Sequence, residues 1–289
     1  MLIHLKIFFQ TIRYKHWIKN IFVFFPSFFG QNILSTCKDP HLWSTFISFC
    51  LAASISYLVN DWTDLETDQM HPKNRYRPIA SGQFPVGNIL PLIFFLTVVL
   101  IIFLWNSRII WPVLVYLIIN LGYSLGLKSI PVLDILIISA GFILRVWAGA
   151  LASHVPLSYW LILMTILSSC FLALGKRKAE LEMQVENIIN LRPSLTFYKL
   201  KWINPGMKII AVISCGAYVL YCISGAVMTR FGNRHIYFTA IFVILGFIRY
   251  YRVTSGKYVY SDPTDLVWHD HLMQFILVGW ITCFYLLIY

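Results

Sequence analysis

Apolar stretches of about twenty residues recur along this chain, each bounded by charged or polar residues. They lie at roughly 20–36, 42–60, 87–105, 109–125, 131–152, 156–175, 207–229, 235–251 and 269–289. A run of this length spans the hydrocarbon of a bilayer as a helix, because only a helix satisfies its own backbone polar groups without water. Charged residues make up 12% of the chain, against about 25% in ordinary soluble domains. A soluble globular fold is therefore excluded. The expected fold class is all-α: a polytopic membrane protein with about nine transmembrane helices, one integral membrane domain over 1–289 and membrane lipid as its surroundings. Pro26 makes the first stretch the least regular, and the eighth is short. The longest loop, 176–206, is expected to include interfacial helix.

The basic residues are distributed unevenly. With nine spans, and with Lys208 and Arg249 counted to the loops they adjoin, eighteen of the 23 Lys and Arg fall on the side that holds the N-terminus. Only Lys38, Arg108, Arg230 and Arg234 lie opposite, and Arg145 lies inside a span. The positive-inside rule then places the N-terminus and the even-numbered loops in the cytoplasm. Of the twelve acids only Asp39 faces away. Topology does not require that bias in the acids, so it points to chemistry on the cytoplasmic face. The net charge of +11 is accounted for by anionic headgroups, and nothing calls for nucleic acid. No cleavable signal peptide is expected, since Lys6, Arg13, Lys15 and Lys19 are spread through the N-terminal segment. The six cysteines show no C-x-x-C spacing and read as reduced packing residues.

Four acids fall within nine positions, Asn60-Asp61-Trp62-Thr63-Asp64-Leu65-Glu66-Thr67-Asp68, directly after the second apolar stretch. If the helix continues, Asn60, Asp64 and Asp68 repeat at i, i+4, i+8 with Asp61 beside them, all on one face. Clustered carboxylates repel unless a cation sits among them, and hard oxygen ligands suit Mg2+. The plain alternative is a solvated loop capping a membrane helix.

Further constellations surround this one. Tyr123-Ser124-Leu125-Gly126-Leu127-Lys128 follows the fourth stretch, with Asp134 beyond it. Lys128 is either a helix C-terminal cap or a phosphate ligand. Gly175-Lys176-Arg177-Lys178-Ala179-Glu180-Leu181 follows the sixth stretch and reads either as a snorkelling anchor or as the basic side of a diphosphate site. Arg145 sits about three turns inside the fifth stretch, where an arginine faces a polar cavity or pairs with a buried carboxylate. Arg13, Trp17, Lys19 and Asn20 precede the first stretch and could be interfacial anchors. Asp262, Thr264, Asp265 and Asp270 precede the last, where Thr264 or Asp265 could cap its helix.

The Asn60-Asp61-x-x-Asp64-x-x-x-Asp68 pattern resembles the first aspartate motif of the UbiA-type intramembrane prenyltransferase superfamily. That resemblance implies a helical bundle around a central cavity open to the cytoplasmic side, with the aspartates binding a diphosphate through Mg2+. Typical members carry a second aspartate motif after the sixth helix, and here Gly175-Lys176-Arg177-x-Ala179-Glu180-Leu181 stands in its place. With His71-Pro72-x-x-Arg75-x-Arg77-Pro78-Ile79-Ala80-x-Gly82 and Tyr123-Ser124-x-Gly126-Leu127-Lys128, it is similar to the decaprenyl-phosphate phosphoribosyltransferase branch. Asn74 departs from the lysine expected there; Lys73 adjoins it.

The branch implies transfer of 5-phosphoribosyl from phosphoribosyl pyrophosphate (PRPP) to a polyprenyl (decaprenyl) phosphate, releasing diphosphate, for cell-envelope polysaccharide precursors. Asp61, Asp64 and Asp68 would hold Mg2+, and Asn60 would orient them or meet the donor. Tyr123, Lys128, Lys176, Arg177 and Glu180 would serve the donor phosphate or ribose, with Arg75 and Arg77 as further contacts. Lys19 and Arg145 are candidates for the lipid phosphate. The expected setting is a bacterial inner membrane with the active site facing the cytoplasm; the oligomeric state is open. Two alternatives remain: prenyl transfer to an aromatic acceptor, and a non-catalytic membrane transporter.

Overall fold

A computed structural model describes residues 2–105, 107–185, 195, 197–255 and 263–289. Among the described residues there is no β-strand. The helices are α1 (Leu2–Thr11), α2 (Phe25–Phe29), α3 (Ile33–Thr36), α4 (Pro40–Thr63), α5 (Leu65–Met70), α6 (Ile89–Leu104), α7 (Ile110–Ser124), α8 (Leu133–Ala152), α9 (Tyr159–Val185), α10 (Leu200–Ile223), α11 (Gly225–Phe231), α12 (Ala240–Val253), α13 (Pro263–His269) and α14 (His271–Ile288). A 3-10 segment, Tyr14–Phe24, joins α1 to α2.

Seven helical stretches among the described residues are long and apolar enough to cross a membrane, and α7 is a shorter apolar helix. The expected first span, 20–36, is not one helix. The 3-10 segment gives way to α2, with Pro26 in its first turn, and then to α3. A proline suits the start of a helix and not its interior. The basic run at 176–178 lies well inside α9 rather than at its end. Ala, Glu, Leu and Met carry the helix on, and Arg177–Glu180 and Lys178–Glu182 pairs brace it.

The chain forms two compact units. In the first, residues 1–157 with 184–194, α4 is the central helix and packs on α6, α7, α8 and the 3-10 segment. It starts cleanly, with Asp39 accepting from the His41 N–H at 2.9 Å and Pro40 in the first turn. The buried core includes Leu42, Phe49, Ala52, Ala53 and Leu58 of α4. The 3-10 segment lies close against α8: a Cβ at Gly149 would sit 1.9 Å from the Val23 carbonyl oxygen. In the second unit, residues 158–183 with 195–289, α12 packs on α10 and α14. The α9 helix meets α12 through Phe171, whose ring lies 4.7 Å from Phe247 and 5.2 Å from Tyr250. Asp270, not Thr264 or Asp265, caps α14, accepting from the Met273 N–H at 2.7 Å. Glu186 and Asp262 lie outside the described residues.

Candidate active site

The aspartate motif does not continue as one straight helix. The α4 helix ends at Thr63, Asp64 takes φ −99° and ψ 11°, and α5 begins at Leu65. Backbone bonds still run from Asp64 to Asn60 (3.0 Å) and from Asp68 to Asp64 (2.8 Å). Carboxylates at i, i+4 spacing destabilise a straight helix. Here the residues expected on one face divide into two pairs. Asn60 and Asp64 share Lys128, whose Nζ bonds the Asp64 carboxylate and lies 3.5 Å from Asn60 Oδ1. Asp61 and Asp68 share Arg77, whose Nη1 reaches Asp61 Oδ1 at 3.2 Å and pairs with Asp68 Oδ2.

Arg13 completes this set. It stands between α1 and the 3-10 segment with a left-handed backbone, φ 53° and ψ 47°. Its Nε donates to Asp61 Oδ2 at 3.2 Å and its Nη2 to Asp61 Oδ1, while its guanidinium lies 4.8 Å from the Tyr57 ring centroid. Asp61 and Asp68 are each 4% exposed, so both need these partners. Burial, the largest single cause, pushes the Arg13 pKa down, but the charge and hydrogen bond of Asp61 together with Tyr57 and Asp68 outweigh it, and the group is held above its ordinary value. Arg77 is pushed below its own, first by burial and then by the charge of Arg13, against the pull of Asp61 and Asp68. It remains protonated at physiological pH. Asn74, the residue that departs from the branch pattern, donates to Asp68 Oδ1 at 2.8 Å.

The Trp17-x-Lys19-Asn20 stretch divides by role. Trp17 donates to Ser54 Oγ at 3.0 Å, and Asn20 Nδ2 donates to Cys50 Sγ at 3.2 Å, docking the segment on α4. Lys19 Nζ lies 3.3 Å from His16 Nδ1, and the His16 ring rests on Tyr57. Of the two readings of Arg145, a polar cavity or a buried carboxylate partner, the second is not met: its acceptors are neutral. Arg145 donates to Asn20 Oδ1 (2.7 Å), the Gly141 carbonyl (2.7 Å) and Tyr116 Oη (3.1 Å), and it stacks over the Tyr116 ring. Arg75 lies outside the carboxylate set, donating to the hydroxyl of exposed Tyr76 at 2.7 Å. Tyr123 is in the last turn of α7, five residues before Lys128.

In the second unit, Lys176 is half-buried on α9. Arg177 is fully buried and pairs with Glu180. Lys178 bonds Ser255 Oγ and stands 4.5 Å from the Tyr251 ring centroid. Sequence reasoning did not single out Arg13 as a ligand of the motif. Its one signal was a basic residue just ahead of an aromatic-rich stretch, which interfacial anchoring explains equally well.

Among the described residues no three His, Cys, Asp or Glu side chains converge as a ready metal cage. Two carboxylates do converge on one cation position, the one Arg77 Nη1 takes. That fits Mg2+, which binds through one or two carboxylates and completes its shell with water and substrate phosphate.

The chain matches the UbiA prenyltransferase family over residues 23–263. It belongs to that family. It is 31% identical over 284 residues to decaprenyl-phosphate phosphoribosyltransferase from Mycolicibacterium smegmatis, covering 94% of this chain and 89% of that one. It is 30% identical over 293 residues to the enzyme of the same name from Corynebacterium glutamicum, covering 97% and 86%. The fold is similar to that of a UbiA homolog from Archaeoglobus fulgidus bound to DMAPP and Mg2+, with a TM-score of 0.70, 14% identity and coverage of 97% and 98%. Family membership and the apolar helices make this an integral membrane protein.

Proposed function

We propose that this UbiA family protein transfers 5-phosphoribosyl from PRPP to decaprenyl phosphate or a related polyprenyl phosphate, releasing diphosphate. The observation that carries this reading is near-full-length similarity to two enzymes named decaprenyl-phosphate phosphoribosyltransferase. The geometry agrees with an anionic donor, because Asp61, Asp64 and Asp68 are interleaved with Arg13, Arg77 and Lys128.

Asp61 and Asp68, with Asp64 beside them, would hold Mg2+, whose chemistry at this point is to neutralise the departing diphosphate. Arg77 and Lys128 bind diphosphate oxygens, with Asn60, 3.5 Å from Lys128 Nζ, and Tyr123, five residues before Lys128, to orient the donor. Lys176, Arg177 and Glu180 are carried over from the branch resemblance as candidates for the donor's 5-phosphate or ribose. The lipid phosphate already carries an anionic oxygen, so attack at C1 of the ribose requires no general base. Lys19 and Arg145 are the candidates to receive that phosphate. The charge asymmetry supports a site on the cytoplasmic face of a bacterial plasma membrane.

The test is product analysis. Detergent-purified protein with PRPP, decaprenyl phosphate and Mg2+ gives a lipid-linked phosphoribose by mass spectrometry, and EDTA abolishes it. Absence of that product across a range of lipid chain lengths overturns the reading. A second reading, prenyl transfer to an aromatic acceptor, draws on the Archaeoglobus fulgidus homolog with bound DMAPP. Prenylated aromatic product in place of lipid phosphoribose would select it.

A further inference from the structure

All four oxygens of the two buried aspartates are engaged. Asp61 Oδ1 accepts from Arg13 and Arg77, and Asp61 Oδ2 accepts from Arg13. Asp68 Oδ2 accepts from Arg77 and Asp68 Oδ1 from Asn74. Two carboxylates thus face two guanidiniums, and a divalent cation entering this pair competes for oxygens already held by charge-assisted hydrogen bonds. A guanidinium that gives way also needs a new anion. The Arg13 side chain is 14% exposed and that of Arg77 28%, so water alone replaces a lost carboxylate poorly.

We infer that Arg13 and Arg77 form a displaceable clamp on Asp61 and Asp68, so that a divalent cation and a diphosphate enter together and each is held poorly alone. The inference rests on the metal assignment made above. The cation takes carboxylate oxygens as the guanidiniums pass to diphosphate oxygens, so the charges stay matched throughout. Two features suit Arg13 to this exchange. Its position in a turn lets the side chain re-aim by its own torsions, without moving a helix. The Tyr57 face also lies under the guanidinium, 4.8 Å away, and supports the cation along the way by a cation–π contact. Arg13 is then a binding residue for the donor diphosphate, reached from a part of the chain 48 residues before the aspartate it now holds.

The experiment measures Mn2+ bound to the full chain in detergent, by the loss of the free-ion electron paramagnetic resonance signal. It is run with and without inorganic diphosphate, against protein-free samples of the same composition. In the unmodified protein, diphosphate tightens Mn2+ binding roughly tenfold, within the usual range for coupled sites, and Mn2+ tightens diphosphate binding by the same factor. In Arg13→Gln, Mn2+ alone binds more tightly than to the unmodified protein, and the coupling factor falls toward one. Arg77→Gln moves both quantities the same way and serves if Arg13→Gln does not fold, as judged by thermal unfolding in detergent. A folded variant that binds Mn2+ more weakly, or that keeps the full coupling, overturns the clamp. Mn2+ binding that ignores diphosphate in the unmodified protein also overturns it, while leaving the metal assignment standing. No Mn2+ binding with or without diphosphate overturns the metal assignment, and the clamp with it.

Discussion

Arg145 on α8 donates through Nε to Asn20 Oδ1 of the 3-10 segment at 2.7 Å, across 125 residues of sequence. Asn20 passes the contact on to Cys50 of α4. One buried pair therefore fixes the segment whose start carries Arg13 to two helices of the first unit. Removing Asn20 leaves a buried guanidinium short of an acceptor. Asn20→Ala is expected to destabilise the protein by about 2 kcal/mol, read as a lower unfolding temperature in detergent. Because Asn20 reaches the aspartates only through the segment's placement, KM for PRPP rises by a larger factor than kcat falls. An unchanged KM would remove the positioning role.

Asp64 faces Lys128 while Asp61 and Asp68 face the arginines, so the three aspartates are not equivalent. Asp64→Asn keeps the shape and loses the charge that holds Lys128. Turnover is expected to fall by roughly a hundredfold, the scale of losing one preorganised electrostatic contact in an active site, and the Mg2+ requirement shifts to higher concentration. Titrating Mg2+ against product formation checks this. Full turnover at the usual Mg2+ concentration would exclude Asp64 from the metal site.

Asn74 offers a test of charge against hydrogen bonding. Its amide donates to Asp68 Oδ1, a bond that a lysine at this position also supplies. Asn74→Lys is expected to leave PRPP turnover within about threefold, since a half-buried position gains the charge. Asn74→Asp sets two carboxylates against each other and is expected to cost at least about tenfold. Steady-state rates on the two variants decide the matter.

How much of this was legible in the sequence differs by element. The long helices follow from hydropathy, because hydrocarbon leaves the backbone few other solutions. The aspartate motif was legible as chemistry. Its split into Asn60–Asp64 and Asp61–Asp68 pairs was not, since no Gly or Pro marks the break at Asp64 and the partners come from distant segments. Arg13 was legible only as a basic residue near a membrane boundary. Arg145 is legible as an arginine deep in a span, but depth alone does not distinguish a polar cavity or a carboxylate partner from the neutral set of Asn20, Gly141 and Tyr116. Helix within 176–206 was expected, but its continuity with the sixth span as α9 was hidden by its charges: a hydropathy window stops at Lys176, whereas the Arg177–Glu180 pair stabilises helix.

Asp270 gives the second unit an acid-sensitive joint. Its carboxylate accepts from the Met273 N–H as the cap of α14 and pairs with Arg249 of α12. The Arg249 hydrogen bond, against the upward push of burial and with help from the Met273 N–H, holds the Asp270 pKa below its ordinary value. A carboxylate whose pKa is lowered by folding stabilises the native form fully above its unfolded pKa of about 3.9. That contribution is lost as pH falls below this point and through the folded pKa, where the native carboxylate itself takes up the proton. Thermal unfolding in detergent between about pH 6 and pH 3 is therefore expected to show a falling transition temperature on the acid side. Asp270→Asn lowers the transition temperature near neutrality and makes the acid-side slope shallower, because an amide keeps part of the cap and none of the charge. An acid slope as steep in Asp270→Asn as in the unmodified protein would assign the effect to other carboxylates.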